Sequence, residues 1–154
     1  EFFRKARTAP WFEKTIFILT ADHSYEGRNF VEQFRIPLVI YAPGIIEPGS
    51  NATVGSQLDI MPTVIDLLGF DDRFTALGES LFSKEKDWAL VFDNEIPAIF
   101  SSRGYLRHSL QNRLDGKTFS EEGGDVEEFN VLERTLLGMN QIAYRLLKAN
   151  RWAK

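Results

Sequence analysis

The sequence predicts an α/β fold, and three observations carry that reading. Two short runs of strand-forming apolar residues, "TIFIL" at 15–19 and "IPLVIYAP" at 36–43, are continuous rather than alternating, the pattern of strands covered on both faces. Segments of helical periodicity flank them, which makes the first part an open sheet with ligands expected beyond the carboxyl ends of parallel strands. After residue 70 the texture changes to short strands divided by Asn, Pro and Gly, followed by one long amphipathic helix.

Taken in order, "EFFRKARTA" sets Phe2, Phe3, Ala6 and Ala9 at helical spacing, and Pro10 closes the run, so a short helix is expected up to about residue 9. The first strand follows at 15–19, then a polar loop, then the second strand, with Pro37 where a strand begins. The stretch "PGIIEPGSNATVGS" is turn chemistry. In "QLDIMPTVIDLLGF", Asp59 is placed as the N-cap, Pro62 in the first turn and Gly69 as the C-terminal stop. Strands at 88–94, 98–102 and 105–111 make an antiparallel meander, and "LDGKTF" carries an Asp-Gly turn that opens a further hairpin. The acidic "SEEGGDVEEF" is a solvated loop leading to a helix over 128–149, whose stripe is Leu132, Leu136, Met139, Ile142, Ala143, Leu146 and Leu147.

Composition excludes several functions. The chain has 154 residues, enough for a core without staples, with ordinary globular usage of 44% hydrophobic and 26% charged residues. A net charge of -4 argues against a nucleic-acid surface, which needs a clustered basic face. With no cysteine there is no disulfide, thiolate metal site or cysteine nucleophile here. No apolar run approaches the roughly 18 residues of a membrane span, and no signal peptide opens the chain. It begins at Glu1 rather than Met, as a piece of something longer would.

One pair of residues stands out. The first strand stops on adjacent Asp22 and His23, where a chain leaving the sheet can turn both side chains toward one point. A carboxylate and an imidazole suit manganese or zinc, or magnesium or calcium if further oxygens join, but two ligands are half a site. The same pair also reads as a solvated turn or a helix cap. His108, on a strand of the meander, reads as a surface or edge histidine; Asp59 reads as a cap before a ligand; Trp11 and Trp88 read as core-edge aromatics. No nucleophile–base pair and no cofactor-binding motif is evident.

The order of the blocks adds a resemblance. "PWFEKTIFILTADHS", "FRIPLVIYAPGIIEPGS", "VGSQLDIMPTVIDLLG" and "LGESLF" together resemble the C-terminal part of the alkaline-phosphatase and sulfatase superfamily, and within it the membrane-anchored phosphoglycerol transferases typified by lipoteichoic acid synthase. The likeness is close over residues 1–82 and in outline only over 83–154, so it implies the end of a sulfatase-like α/β core over 1–82, then a small antiparallel subdomain with a C-terminal helix. It implies that Asp22 and His23 bind a divalent metal, manganese foremost, with calcium, magnesium or zinc as alternatives. It implies nucleophilic displacement at a phosphate or sulfate ester, such as a glycerophospholipid headgroup, by a Thr or formylglycine upstream of Glu1, so no catalytic residue is expected within this segment. It implies a location on the extracytoplasmic face of the cell membrane, attached through an N-terminal portion. The two strands read as interior, so the isolated segment, with an open sheet edge and an uncovered apolar face, is expected to associate either with that portion or with itself. The family usually has Gly where this chain has Ser24, and a positive φ there would strain the serine. Two rivals stand beside this reading: a true sulfatase with formylglycine and calcium, and a non-catalytic module binding a partner through residues 121–128 or the last helix.

Overall fold

The computed structural model describes residues 1–24, 27–71, 74–83, 85–119 and 126–150. The chain divides into two compact units, Glu1–Asn51 and Ala52–Lys154. The acidic stretch 120–125 lies outside the described residues.

The first unit contains α1 (Phe2–Ala6), β1 (Phe17–Thr20), α2 (Phe30–Gln33) and β2 (Leu38–Tyr41). α1 ends three residues before the expected boundary: the Thr8 hydroxyl donates to the Lys5 carbonyl at 2.8 Å, and Pro10 disfavours helical backbone at the residue before it. The two strands pair antiparallel, from Phe17 opposite Tyr41 to Thr20 opposite Leu38, which corrects the expected parallel arrangement. A parallel pair needs a crossover that carries the chain back along the strand, and among the described residues the connection here holds only the single turn of α2.

Cover over this hairpin is uneven, contrary to the expectation of strands buried on both faces. At one end the Phe17 ring packs among Phe3, Phe12 and Tyr41 with centroids 5.1, 5.2 and 6.0 Å away, and Trp11 sits at the rim at 6.2 Å, a core-edge aromatic as expected. At the other end Leu19, Leu38 and Val39 are 43%, 37% and 54% exposed.

The second unit contains α3 (Ile60–Leu67), then β3 (Ala89–Asp93), β4 (Ile96–Phe100), β5 (Gly104–His108) and β6 (Arg113–Thr118), then α4 (Val126–Ala149). The four strands form an antiparallel meander in chain order. Asp115-Gly116 lies inside β6 rather than at a turn. The glycine is needed there for approach, since a Cβ would stand 2.8 Å from the Tyr105 carbonyl oxygen and 2.9 Å from the Phe129 ring. α4 lays Leu132 and Leu136 on Leu90, Ile99 and Leu106, with Trp88, Phe129 and Met139 around them. Further along its apolar stripe Ala143 and Leu146 are half-buried, while Ile142 and Leu147 are 49% and 64% exposed. Among the described residues no helix is long and apolar enough to cross a membrane.

Asp59 does more than start a helix. A 3-10 turn at Gln57–Asp59 precedes α3, and Ser56 is the capping residue, in a reciprocal box with Asp59. The Asp59 carboxylate, fully buried, accepts from the backbone N–H of Ser56 at 2.6 Å and of Glu79 at 2.9 Å, and pairs with Lys86 Nζ at 3.1 Å. Lys86 also donates to the Trp88 carbonyl at 2.7 Å and lies 3.9 Å from the centre of the Trp88 ring. Thr63 completes the knot, donating to the Asp59 carbonyl at 2.6 Å and accepting from Leu81 N–H at 2.9 Å. At the far end of α3, Gly69 has φ +66° and closes the helix: its N–H donates to Asp66, and that of Phe70 to Ile65, the paired bonds of a Schellman stop.

His108 is not a surface residue. It is buried at 2% exposure, where β5 meets α4. Leu110 N–H donates to its Nδ1 at 2.9 Å, so the proton of the neutral ring sits on Nε2, which donates to Glu133 at 3.0 Å. Arg113 donates to the other Glu133 oxygen at 2.6 Å, and chiefly this bond holds the Glu133 carboxyl below the ordinary carboxylate range, with partial burial opposing and His108 assisting.

Two outcomes follow from these pairs. Lys86→Met leaves the Asp59 charge buried without its cation and is expected to lower unfolding stability by about 3–5 kcal/mol in a urea titration; a loss under about 1 kcal/mol would show the pair to be dispensable. Because the Glu133 pKa is depressed on folding, its contribution is complete above the ordinary carboxylate range and is lost as pH falls through the depressed folded value. Acid titration of stability should therefore be shallower in Glu133→Gln than in the parent chain, and superimposable curves would refute the coupling.

Candidate metal centre

The β1–β2 ladder ends at Thr20 and Leu38, and Asp22 follows two residues later. There the chain turns on its own side chains: Asp22 Oδ1 accepts from the His23 backbone N–H at 2.9 Å. His23 Nδ1 lies 2.8 Å from the Ser24 carbonyl oxygen. A carbonyl can only accept, so Nδ1 carries the hydrogen and Nε2 of the neutral ring keeps its lone pair. That Nε2 lies 3.5 Å from Asp22 Oδ2, and both side chains are open to solvent, His23 at 75% and Asp22 at 88% exposure.

Two acceptors facing one another at this distance are suited to sharing a cation. Donors each about 2.1 Å from a metal stand about 3.0 Å apart at an octahedral angle and about 3.4 Å apart at a tetrahedral one. The pair needs little movement to meet either, and its exposure leaves room for further ligands. The donor set therefore fits a divalent metal, with the carboxylate oxygen favouring a hard ion and the imidazole extending the range to manganese and zinc. Among the described residues no group of three or more His, Asp or Glu is placed to hold a metal, so the pair offers two donor atoms without a third beside them.

The loop behind the pair is built on α2, where the sequence predicts a polar loop alone. Asn29 caps it by accepting from Glu32 N–H at 3.1 Å, while Glu32 reaches back to Arg28 N–H at 2.9 Å and to the Asn29 side chain at 3.1 Å. The signal was present in the chain as Asn29-x-x-Glu32 ahead of an apolar residue, a variant of the capping box. Ser24 Oγ donates to the carbonyl of Gln33, the last residue of α2, at 2.6 Å. Gly27 allows this return, since a Cβ there would lie 2.3 Å from Gln33 N. The positive-φ non-glycine residues among those described are Asn94, Leu110 and Asn150, so Ser24 carries none of the strain anticipated for it. The other residues weighed as ligand or site residues, Asp59 and His108, are engaged within the second unit by the partners given above.

Comparison with known proteins identifies the fold and the relatives of this chain. The fold is that of the alkaline phosphatase superfamily: a crystal structure of a superfamily protein from Vibrio parahaemolyticus matches 99% of this chain with a TM-score of 0.75, at 20% identity and over 40% of that protein. Residues 1–70, which contain Asp22 and His23, match the sulfatase family model. Lipoteichoic acid synthase 1 of Bacillus subtilis (strain 168) is 28% identical over an alignment of 112 residues, which takes in 61% of this chain and 17% of the synthase. The chain thus carries a sulfatase-like segment related to lipoteichoic acid synthase, and it spans well under half the length of either relative.

Proposed function

We propose that this chain is the C-terminal part of an extracytoplasmic, metal-dependent phosphoglycerol transferase or sulfatase-like enzyme, and that Asp22 and His23 are two of its metal ligands. The observation that carries the reading is the 3.5 Å approach of His23 Nε2 to Asp22 Oδ2 at the end of β1, inside the part of the chain that matches the sulfatase model. The relation to lipoteichoic acid synthase supports phosphate over sulfate as the ester attacked, a glycerophospholipid headgroup as the substrate class, and the outer face of the cell membrane as the place of action.

In this reading Asp22 and His23 would hold a divalent ion, manganese foremost, which would supply Lewis acidity to the attacking hydroxyl and charge neutralisation at the non-bridging oxygens. The chain's own contribution is to hold two donors still. Asp22 supplies negative charge, and its bond from His23 N–H fixes one oxygen while the other faces the imidazole. His23 supplies a neutral nitrogen, with the ring's orientation and tautomer set by the Nδ1–H bond to the Ser24 carbonyl. The nucleophile, a Thr in a transferase or a formylglycine in a sulfatase, belongs to the portion of the enzyme outside this segment.

Asp22→Ala and His23→Ala, made in the full-length protein that carries this segment, are each expected to reduce metal-dependent cleavage of a glycerophosphate ester by on the order of 100-fold or more. Both side chains are exposed, so the thermal midpoint of the metal-free protein should move little. Turnover that survives both substitutions would remove the pair from the site and favour a binding module.

A further inference from the structure

We propose that Ser24 is a positioning residue for the metal centre, tying the His23 ring to the end of α2 through its own two oxygen atoms. The inference rests on the reading of Asp22 and His23 as ligands and adds a residue to it. The Ser24 carbonyl oxygen accepts the His23 Nδ1–H at 2.8 Å, and the Ser24 hydroxyl donates to the Gln33 carbonyl at 2.6 Å. The two bonds act in series: the hydroxyl fixes the residue, and the fixed residue aims its carbonyl at the ring.

The far anchor is sound for three reasons. Gln33 closes α2, and a carbonyl at a helix end is one that the helical ladder leaves in need of a donor. α2 is itself held at its start by the exchange between Asn29 and Glu32 and by Arg28 N–H on Glu32. Gly27 supplies the clearance, because a side chain there would strike the Gln33 backbone and push the helix end out of reach of Ser24. The route from the ladder end at Thr20 through Asp22, His23 and Ser24 to α2, and on to Leu38, is closed on itself.

A serine that only decorated a turn would not need this arrangement. In metal sites the second nitrogen of a ligating histidine is commonly held by a carbonyl or carboxylate, and loss of such a partner costs about 10–100-fold in affinity. Here the partner is a backbone oxygen, so the side chain that immobilises the backbone takes over that role. Ser24→Ala keeps the carbonyl and removes its restraint. Ser24→Gly adds backbone freedom as well. Ser24→Thr retains the hydroxyl.

The test uses metal-stripped full-length protein and Mn2+ alone, with affinity read by calorimetry and the 27–35 backbone read by hydrogen exchange without metal. The expected result is a loss of about tenfold in Mn2+ affinity for Ser24→Ala, at least as much for Ser24→Gly and recovery to within about twofold for Ser24→Thr, with faster exchange over 27–35 in the first two. Unchanged Mn2+ affinity in Ser24→Ala, while Asp22→Ala and His23→Ala lose it, would leave the ligands in place and overturn the positioning role, even if exchange quickened. Mn2+ binding indifferent to Asp22→Ala and His23→Ala would overturn the ligand assignment and the role of Ser24 with it.

Discussion

Backbone amides and carbonyls that run out of ladder partners govern the shape of both units. A buried or crowded N–H must be given an acceptor, and where strands and helices stop the chain has to find one among its side chains. In the second unit the answer is Asp59, whose carboxylate takes the amides of Ser56 and Glu79 and so binds the start of α3 to a segment twenty residues further on. Lys86 is then required to balance the charge that this use of a carboxylate puts in the interior. Gly78 follows from the same demand, because a Cβ would stand 2.2 Å from the Leu58 carbonyl oxygen and 2.7 Å from the Asp59 carboxylate. In the first unit the ladder ends at Thr20 and Leu38, and Asp22, Ser24 and Asn29 take up the bonds beyond it.

The parts of the fold that were legible in the chain are those written in local chemistry. Gly69 announced the end of α3 because only a residue at ease with positive φ completes that stop. The repeat of Leu132 and Leu136 announced the buried face of α4. What misled were signals whose meaning depends on a distant partner. Asp115-Gly116 has the composition of a hairpin turn, yet the glycine answers to Tyr105 and Phe129 across the fold. His108 has an ordinary polar neighbourhood in sequence, and its burial follows from Glu133 on a helix 25 residues later. Asp59 is a capping residue by spacing and a buried ion-pair partner only through Lys86.

The candidate site divides in the same way. Asp22 and His23 were visible because a strand does not ordinarily end on that pair, and the geometry adds what spacing cannot, namely which ring nitrogen carries the hydrogen. Ser24 and Gln33 were not visible as partners, since nothing in either residue points to the other until α2 folds back. Ser24, standing where the resemblance leads one to expect glycine, reads in sequence as a source of strain. With its backbone in an ordinary region and its hydroxyl engaged, it is instead a restraint.

The closed route from Thr20 to Leu38 also has an entropic consequence. The ladder pays for its closure once, and a longer connection adds little to that cost, about 0.6 kcal/mol for each doubling of length. Beyond Ser24 the tie to Gln33 divides the route into two smaller rings, so chain inserted between those two anchors enlarges one ring and leaves the other untouched. Between Thr20 and Ser24 there is no such tolerance, because any added residue displaces both donors from the strand end that aims them. Tolerance of added length in this chain should therefore collect on one side of a single serine.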